Sequence, residues 1–519
     1  MLPLLIGLAS AVEVEASDNV TFDLQGYYRV RGHHFNGLYN PDFWANEPGT
    51  GRYMSHRMRI QPSMDFDDGR AKFFMSADIF DDQTFGDNMS LADTALFAGD
   101  PSNVNYMTGQ PQDSIQIERA WMEFNAALGV VRVGRQPSHW GMGLLANDGN
   151  GFDETFGENH GGNTFDRVIF ATKPLGLSNT FFGKGNPNTP LYFAIGFDRL
   201  VEDPLNQYYG YKCDPEDPDD SEYCAEDDDH SYTEDRLPEN RPDNWWTEHD
   251  DDVWEMLYVL IYRGEGVDLM GKPSDLTLGA YAINRMQGET DSNVWIYNGY
   301  MRLSRSWLYA ETEWLTIQGT SSAIPLAGGP PEDPLYKETN IWGGVARVGY
   351  QSVERDLTFE YGYASGDDNL QDEMFTARAI HPDHNAGLII YEEIIPRVTA
   401  MAYPGTPGLW SNGGVYNSKY IFPQFRQNFI LPGWTLHGGL LVVWPDERDG
   451  GILQYEENTE SSIIGWEADV ALKIEAQQHI FVSIEGGYAQ LTDVLPWEAR
   501  GLTNDGRVWT IQPRVAYVF

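Results

Sequence analysis

The strongest constraint on the fold is a strict alternation of side chains along the last segment of the chain, residues 507–519. Such a period of two is imposed by a β-strand, whose successive side chains point to opposite faces of the sheet. One face carries Trp509, Ile511, Pro513, Val515, Tyr517 and Phe519, and the other carries Val508, Thr510, Gln512, Arg514 and Ala516. The segment therefore predicts a strand with an apolar face and a face that tolerates water.

The same pattern recurs along most of the sequence. Apolar side chains between Val20 and Val30, and again between Met54 and Phe66, alternate with polar ones. Further candidate strands fall near residues 71–80, 115–125, 129–136, 164–174, 191–200, 253–263, 275–285, 293–303, 306–318, 341–350, 355–365, 388–400, 414–430, 434–445, 462–474 and 479–490. Alternating segments of roughly 9 to 11 residues, separated by turns, are typical of strands that cross a bilayer. The pattern predicts an all-β fold, a single transmembrane antiparallel β-barrel of about 18 strands (16 to 18), with long extracellular loops and short periplasmic turns.

Length and composition agree with one large barrel. A chain of 519 residues would make three or four soluble domains at about 150 residues each, yet no linker interrupts residues 17–519. Aromatic residues reach 13% and many lie near strand ends, where membrane barrels carry aromatic girdles. A soluble β protein with an aromatic core is the alternative. A transmembrane helix is excluded, because the sequence contains no apolar run long enough to cross a bilayer as a helix.

The N-terminus has a short apolar stretch, Leu2–Ala11, that ends in small residues. A secretory signal peptide has such a stretch and such a cleavage site, preceded by basic residues that this sequence lacks. We expect residues 1–16 to be the remnant of a signal peptide, with a disordered N-terminus as the alternative.

The charge is strongly acidic and unevenly distributed. A formal net charge of −44 excludes a role in nucleic-acid binding, which needs a basic surface. Residues 201–252 hold twenty Asp or Glu and three Lys or Arg. We expect a long acidic extracellular loop that either remains solvated or binds divalent cations shared with lipopolysaccharide.

The only two cysteines, Cys213 and Cys224, lie within this acidic loop. Export passes through an oxidising compartment, so the sequence predicts a disulfide between them. Two cysteines without histidine partners do not predict a zinc site.

Charged residues inside the predicted strands fall on the polar face. A charge on the lipid face costs roughly 2 to 4 kcal/mol at the membrane midplane, so these side chains are predicted to point into the lumen. They are Arg29, Arg31, Arg57, Arg59, Arg132, Arg302, Arg347, Glu360, Glu467, Asp469, Lys473 and Arg514. They could line a conducting pore or form interior salt bridges. A barrel of about 18 strands is wide enough to favour a water-filled pore, either open or narrowed by inward-folded loops.

Two resemblances accompany these patterns. The aromatic end at Phe519 resembles the closing strand of bacterial outer-membrane barrels, which implies recognition by the barrel-assembly machinery. Segments 134–148, 363–369 and 381–387 together resemble the alginate-export type of porin. That resemblance implies an eighteen-stranded barrel that passes an anionic polysaccharide through an arginine-rich constriction. The many predicted lumenal carboxylates differ from a purely basic pore.

Catalytic and metal-binding patterns are sparse. His381, Asp383 and His384, with His139, are candidates for a hydrolase at the barrel rim, but the sequence has no known nucleophile or zinc-protease motif. Oxygen ligands alternate at Asp148, Asn150 and Asp153 in a Gly-rich stretch, as in calcium loops, but the stretch lacks the downstream glutamate of an EF-hand and an ordinary tight turn is the simpler alternative.

Together these patterns predict a non-enzymatic bacterial outer-membrane porin for hydrophilic, anionic solutes such as saccharides, with lipid, lipopolysaccharide and the assembly machinery as partners. No cofactor is expected apart from surface calcium. The alternatives are a non-conducting surface barrel whose acidic loops bind a partner, and a rim hydrolase.

Overall fold

The computed structural model describes residues 20–38, 49–67, 69–85, 115–151, 155–159, 162–177, 189–200, 253–288, 291–321, 337–370, 372–402, 409–429, 431–448, 459–495 and 505–519. Its strands are β1 (Val20–Leu38), β2 (Gly49–Phe66), β3 (Ala71–Thr84), β4 (Ile115–Ala126), β5 (Gly129–Ser138), β6 (Asn163–Thr172), β7 (Leu191–Leu200), β8 (Trp254–Leu269), β9 (Lys272–Gln287), β10 (Ser292–Arg305), β11 (Leu308–Ser321), β12 (Lys337–Gln351), β13 (Arg355–Ala364), β14 (Met374–Phe375), β15 (Ser418–Asn428), β16 (Trp434–Pro445), β17 (Gly465–Gln477), β18 (Ile480–Leu491) and β19 (Arg507–Val518). A π-helical turn (Ile390–Ile394) leads into the α-helix α1 (Ile395–Ala402).

The strands close into a ring. Each long strand pairs antiparallel with its neighbours in sequence, β13 pairs with β15, and β1 pairs with β19 to close the sheet. The two-residue β14 stands apart from the ring and pairs in parallel with β12. The remaining strands form the closed antiparallel barrel of 18 strands, which confirms the predicted fold class.

The two rims of the barrel differ. Tight turns join β8 to β9 and β10 to β11 at the rim where β1 begins and β19 ends, which we call the short-turn rim. At the first of these turns Met270 and Gly271 have φ values of 54° and 76°, a left-handed conformation that glycine adopts without strain. Residues 139–162 and 365–417 connect strands at the opposite, long-connection rim. Long connections face outward from the cell in membrane barrels of this kind.

The barrel wall separates apolar from polar side chains as the sequence pattern predicts. On β19, Ile511 and Val515 are 46% and 50% exposed on the outside, whereas Gln512 and Arg514 are buried inside. Large apolar side chains are also exposed on the outer face of β8, β12 and β18, among them Leu260, Val348 and Ile484. An outer surface of this kind fits the hydrocarbon of a bilayer. Among the described helices, none is long and apolar enough to cross a membrane.

One predicted strand is wrong. Residues 388–400 form the π-helical turn and α1 rather than a wall strand. Ile389, Ile390, Ile394, Ile395 and Val398 are fully buried there, so the run of apolar residues that suggested a strand reflects burial on all sides.

Two connections from the long-connection rim fold into the lumen. Inner segment A is residues 139–162, between β5 and β6, and inner segment B is residues 365–417, between β13 and β15. Leu144 and Phe156 of segment A and Ile380 and Leu388 of segment B join one apolar cluster with inward-facing wall residues. The hydrophobic core of this protein therefore lies inside the barrel.

Candidate functional site

Five of the predicted lumenal arginines form one cluster on adjacent strands. Arg29 and Arg31 lie on β1, Arg57 and Arg59 on β2, and Arg514 on β19, and each is at most 3% exposed. They face the lumen as predicted, but they are covered by segment A. The four arginines that this cluster takes from β1 and β2 line none of the described cavities, which corrects the expectation that they line a pore. Arg514 borders one of them, a pocket of about 280 Å³.

Carboxylates from the wall neutralise the arginine cluster. Arg59 binds Asp78 on β3 with an N–O distance of 2.6 Å, and Arg29 binds Asp82 at 2.9 Å. On the other side, Arg514 binds Glu485 on β18 at 2.9 Å. Buried charges persist only when they are paired in this way.

A carboxylate of segment A completes the cluster. Glu158 lies 3.1 Å from Arg29, 3.2 Å from Arg31 and 3.7 Å from Arg514. Burial alone would raise the pKa of Glu158, but the positive charges of these three arginines outweigh burial and lower it. Glu158 is therefore an ionised anchor that fastens segment A to the wall.

Arginines also hold the backbone of segment A. Arg59 donates a hydrogen bond of 2.8 Å to the carbonyl oxygen of Gly149, and Arg57 donates one of 3.1 Å to that of Asn159. Arg119 on β4, which the sequence did not single out, donates one of 2.6 Å to the carbonyl oxygen of Asp148. These guanidinium groups bind polypeptide, so their main effect is to fix the shape of the lumen.

Two buried glutamates elsewhere on the wall, one on β11 and one on β17, accept amide hydrogens from the inner segments. Glu313 on β11 accepts a hydrogen bond of 2.5 Å from the amide of Met142 in segment A. Glu467 on β17 accepts hydrogen bonds from three consecutive amides of segment B, Leu388, Ile389 and Ile390, at 2.5 to 2.8 Å. Glu467 was predicted to line the lumen, and the structure shows it capping the start of the π-helical turn. Its neighbour Asp469 faces the same way and is also buried.

The two inner segments bind each other across the lumen. The amide of His381 donates a hydrogen bond of 2.8 Å to the carbonyl oxygen of Leu144. The side chain of Asn147 donates one of 3.2 Å to the carbonyl oxygen of Asp383. The segments thereby form a constriction that divides the interior.

A cavity of about 410 Å³, the lower cavity, lies between this constriction and the short-turn rim. Its lining includes Arg347 of β12, Arg426 of β15 and His437 of β16, with Asp356 and Asn385. Arg347 binds Glu360 at 2.5 Å and Arg426 binds Asp356 at 2.6 Å, while both arginine side chains remain 31% exposed. An adjoining pocket of about 280 Å³ shares Arg426 and His437 and adds Lys473.

A second cavity of about 310 Å³, the upper cavity, lies on the other side of the constriction and contacts Arg378 and His381 of segment B. Burial, together with the nearby positive charge of Arg285, lowers the pKa of Arg378 to about 10, which leaves it cationic at neutral pH. Basic side chains therefore reach open space on both sides of the constriction.

The remaining predicted lumenal residues divide by position. Arg132 and Arg302 face the lumen near the short-turn rim, where Arg132 binds Glu123 at 2.6 Å and Arg302 stacks on Tyr309 with 5.7 Å to the ring centre. Glu360 is covered, because Arg347, Tyr420 and His384 surround it.

The predicted calcium site is not supported by the geometry of its described residues. Asn150 Oδ1 accepts hydrogen bonds from Arg119 at 3.0 Å and Arg59 at 3.3 Å. Two guanidinium groups at one oxygen oppose a cation there. Asp148 instead accepts a hydrogen bond from the amide of Asn150, as in an ordinary Asx turn. Asp153 lies outside the described residues.

The histidine loop is occupied by internal contacts. His384 Nε2 lies 3.2 Å from the hydroxyl of Tyr420, and His381 Nδ1 accepts a hydrogen bond of 3.1 Å from the amide of Asp383. These bonds hold segment B, so the loop does not present the histidines as a free catalytic pair. His139 lies apart, 3.6 Å from Asp148.

Several predictions fall outside the described residues: the signal-peptide remnant at 1–16, the acidic loop at 201–252, and the Cys213–Cys224 disulfide.

No protein-family model and no curated protein matches this sequence. The chain is similar to the solved structure of Pseudomonas aeruginosa OccK11 (OpdR), with 9% identity, a TM-score of 0.46 and coverage of 96% of both chains. It is also similar to Pseudomonas aeruginosa OpdK with vanillate, at 9% identity, TM-score 0.47 and coverage of 96% of this chain and 98% of that one. For Pseudomonas aeruginosa OccK2 (OpdF) in complex with glucuronate, the values are 11% identity, TM-score 0.45, and coverage of 96% and 98%.

Proposed function

We propose that this protein is a channel of the bacterial outer membrane that passes small hydrophilic, preferentially anionic solutes down their gradients. The observation that carries this proposal is the lower cavity, where the partly exposed side chains of Arg347 and Arg426 meet His437 beside the constriction. Guanidinium groups bind carboxylates and phosphates through paired hydrogen bonds.

The size of the barrel supports conduction. A ring of 18 strands is too wide to be filled by wall side chains alone. In this protein two inner segments narrow it, and the cavities on either side of them remain lined by polar and charged groups. The constriction would select solutes by size, while the basic groups select by charge.

The finer proposal is a saccharide-like anionic solute, as the resemblance to alginate-export porins implies. Polar side chains of the lower cavity, including Asn147, Asn159 and Asn385, suit sugar hydroxyls. The carboxylates of Asp356 and Asp383 in the same lining favour a solute of few charges over a polyanion. No enzymatic reaction is assigned.

Partners follow from the membrane location. We expect outer-membrane lipid and lipopolysaccharide to surround the apolar wall, and the barrel-assembly machinery to recognise the strand that ends at Phe519. That residue exchanges two backbone hydrogen bonds of 2.9 Å with Gly26, so the recognised strand is also the one that closes the ring.

The test is the single-channel conductance of the refolded protein in a planar bilayer under a salt gradient, with uronic acids and neutral sugars added as blockers. Anion preference and block by the acids, both weakened in Arg347→Gln and Arg426→Gln, are expected. A folded barrel that carries no current would support instead the alternative of a non-conducting surface protein.

A further inference from the structure

A groove of about 730 Å³ crosses the outer face of the barrel at the seam where β19, β1 and β2 adjoin. Its floor contains Val30, Gly32 and Val515, and Met54 and Phe85 form one side. Gly32 pairs with Met54 on β2, and on its other side Pro513 Cγ would lie 3.1 Å from an added Cβ. The missing side chain at Gly32 makes the wall dip between its larger neighbours, and the apolar side chains around the dip suit a hydrocarbon chain.

The groove has a cationic end. His34 and Arg52 are cross-strand partners, and Arg52 Nε donates a hydrogen bond of 3.1 Å to His34 Nδ1. Trp509 packs edge-on against the His34 ring at a centroid distance of 5.0 Å. Arg52 is exposed, and among the described residues no carboxylate forms an ion pair with it.

The position of Arg52 limits what can neutralise it. It shares the outer face of β2 with Met54, close to the long-connection rim, whereas Arg57 and Arg59 of the same strand point inward. A charge on the lipid face is tolerated near the interface, where lipid headgroups lie, and disfavoured at the midplane. A guanidinium group at that level is well suited to a phosphate, which it binds through two parallel hydrogen bonds.

We propose that this groove is a binding site for a phosphorylated glycolipid of the outer leaflet. One acyl chain lies along Val30, Gly32 and Val515, and a sugar phosphate contacts Arg52 and His34 beside the Trp509 ring. The site does not depend on conduction, because its residues face away from the lumen, but it rests on the outer-membrane location proposed above.

The test is native mass spectrometry of the full-length folded barrel in detergent, titrated with a bisphosphorylated acylated disaccharide. Arg52→Gln removes the charge and Val30→Trp fills the floor. Loss of one charged hydrogen-bonding group should weaken binding about tenfold, and the filled groove should weaken it comparably. The matched control is Arg507→Gln, since Arg507 is exposed on β19 near the same rim but lies 3.6 Å from Asp505. It should bind as the unmodified protein does.

Heat-modifiable migration on gels establishes that each variant is folded. If Arg52→Gln does not fold, Arg52→Lys replaces it. Arg52→Lys keeps the charge and should retain most of the binding. The proposal is overturned if Arg52→Gln or Val30→Trp binds the glycolipid as tightly as the unmodified protein, or if Arg52→Lys binds no better than Val30→Trp. It is also overturned if the dephosphorylated disaccharide or phosphatidylglycerol binds equally well, or if the groove is occupied by a second copy of the chain.

Discussion

The side-chain amide of Asn385 donates a hydrogen bond of 3.2 Å to the backbone carbonyl oxygen of Glu158. This bond joins segment B to segment A at the residue whose carboxylate is held by the arginine cluster. The anchor of segment A is thereby connected to segment B, which Glu467 holds on β17. The constriction behaves as one structure with three attachments to the wall, at the arginine cluster, at Glu313 and at Glu467.

Replacing Glu158 by Gln should lower the free energy of unfolding by about 3 to 5 kcal/mol, because buried Arg29 and Arg31 lose a shared counter-charge. Urea titration of the folded barrel in lipid measures this. Glu123→Gln is the control, since its partner Arg132 is 53% exposed and the pair should contribute about 1 kcal/mol or less. Equal losses in both variants would show that Glu158 is not an anchor.

The pH dependence of the Glu158 contribution follows from its lowered pKa. The Glu158 carboxyl keeps its proton up to a higher pH in the unfolded chain than in the folded barrel. The stabilisation by Glu158 is therefore complete above the ordinary pKa of a glutamate, and it is lost as pH falls through the lower pKa of the folded state. The stability difference between the native protein and Glu158→Gln should therefore shrink on acidification. A difference that grows would contradict the assignment.

Arg59→Ala should enlarge the passage as well as change its charge, because Arg59 holds the carbonyl oxygen of Gly149 in segment A. We expect a larger and noisier single-channel current. Arg426→Gln, which touches open space but no backbone of segment A, should reduce anion preference at nearly unchanged conductance. If both variants change selectivity alone, the arginine cluster acts as part of the conduction path.

Glu467→Ala should release segment B, since three buried amides lose their acceptor at roughly 1 to 3 kcal/mol each. Limited trypsin digestion at the partly exposed Arg397 should become faster in the folded barrel. Glu467→Gln keeps an acceptor oxygen, so its rate of digestion should lie between those of the native protein and Glu467→Ala. Unchanged digestion of Glu467→Ala would mean that apolar packing alone holds the segment.

Acidification should loosen segment B at His381. Burial lowers the pKa of His381 from 6.5 to about 4, and the neutral ring accepts the hydrogen bond from the amide of Asp383. The folded state resists the proton that the unfolded chain accepts, so this contribution is present above pH 6.5 and lost as pH falls towards 4. Hydrogen exchange of residues 376–388, relative to β17, should accelerate between pH 7.5 and about pH 5. His381→Asn should remove most of that acceleration.

The wall of this barrel is predictable from sequence because every strand meets lipid on one side and a polar interior on the other. That alternation identified β19 and β2 and the inward side of Arg29 and Arg57. Residues 388–400 misled for a physical reason: segment B is packed on all faces inside the barrel, so Ile389, Ile390 and Ile394 carry no period-two signal of a wall. Pro396, near the start of α1, is a helix-start signal that could have identified the helix.

The contacts that the charged side chains make inside the barrel could not be predicted from the sequence. Sequence alternation gives the face of Arg59 but not whether segment A or solvent lies against it. The anchors Glu158 and Glu313 were missed for the same reason, since a carboxylate that accepts a distant backbone amide leaves no local pattern. Arg426 could have been found, because it occupies the polar face of a predicted strand, 414–430.

The pairing of β1 with β19 fixes the order of events in folding. Arg31 and Gln512, whose side chains form a hydrogen bond across the seam, are separated by 481 positions in sequence. The cylinder cannot be sealed until nearly the whole polypeptide has been synthesised, and before that moment both edge strands expose unsatisfied amides. Until then the unfinished sheet needs a chaperone or a template along its two open edges, and the seam is the place where a stalled intermediate would be found.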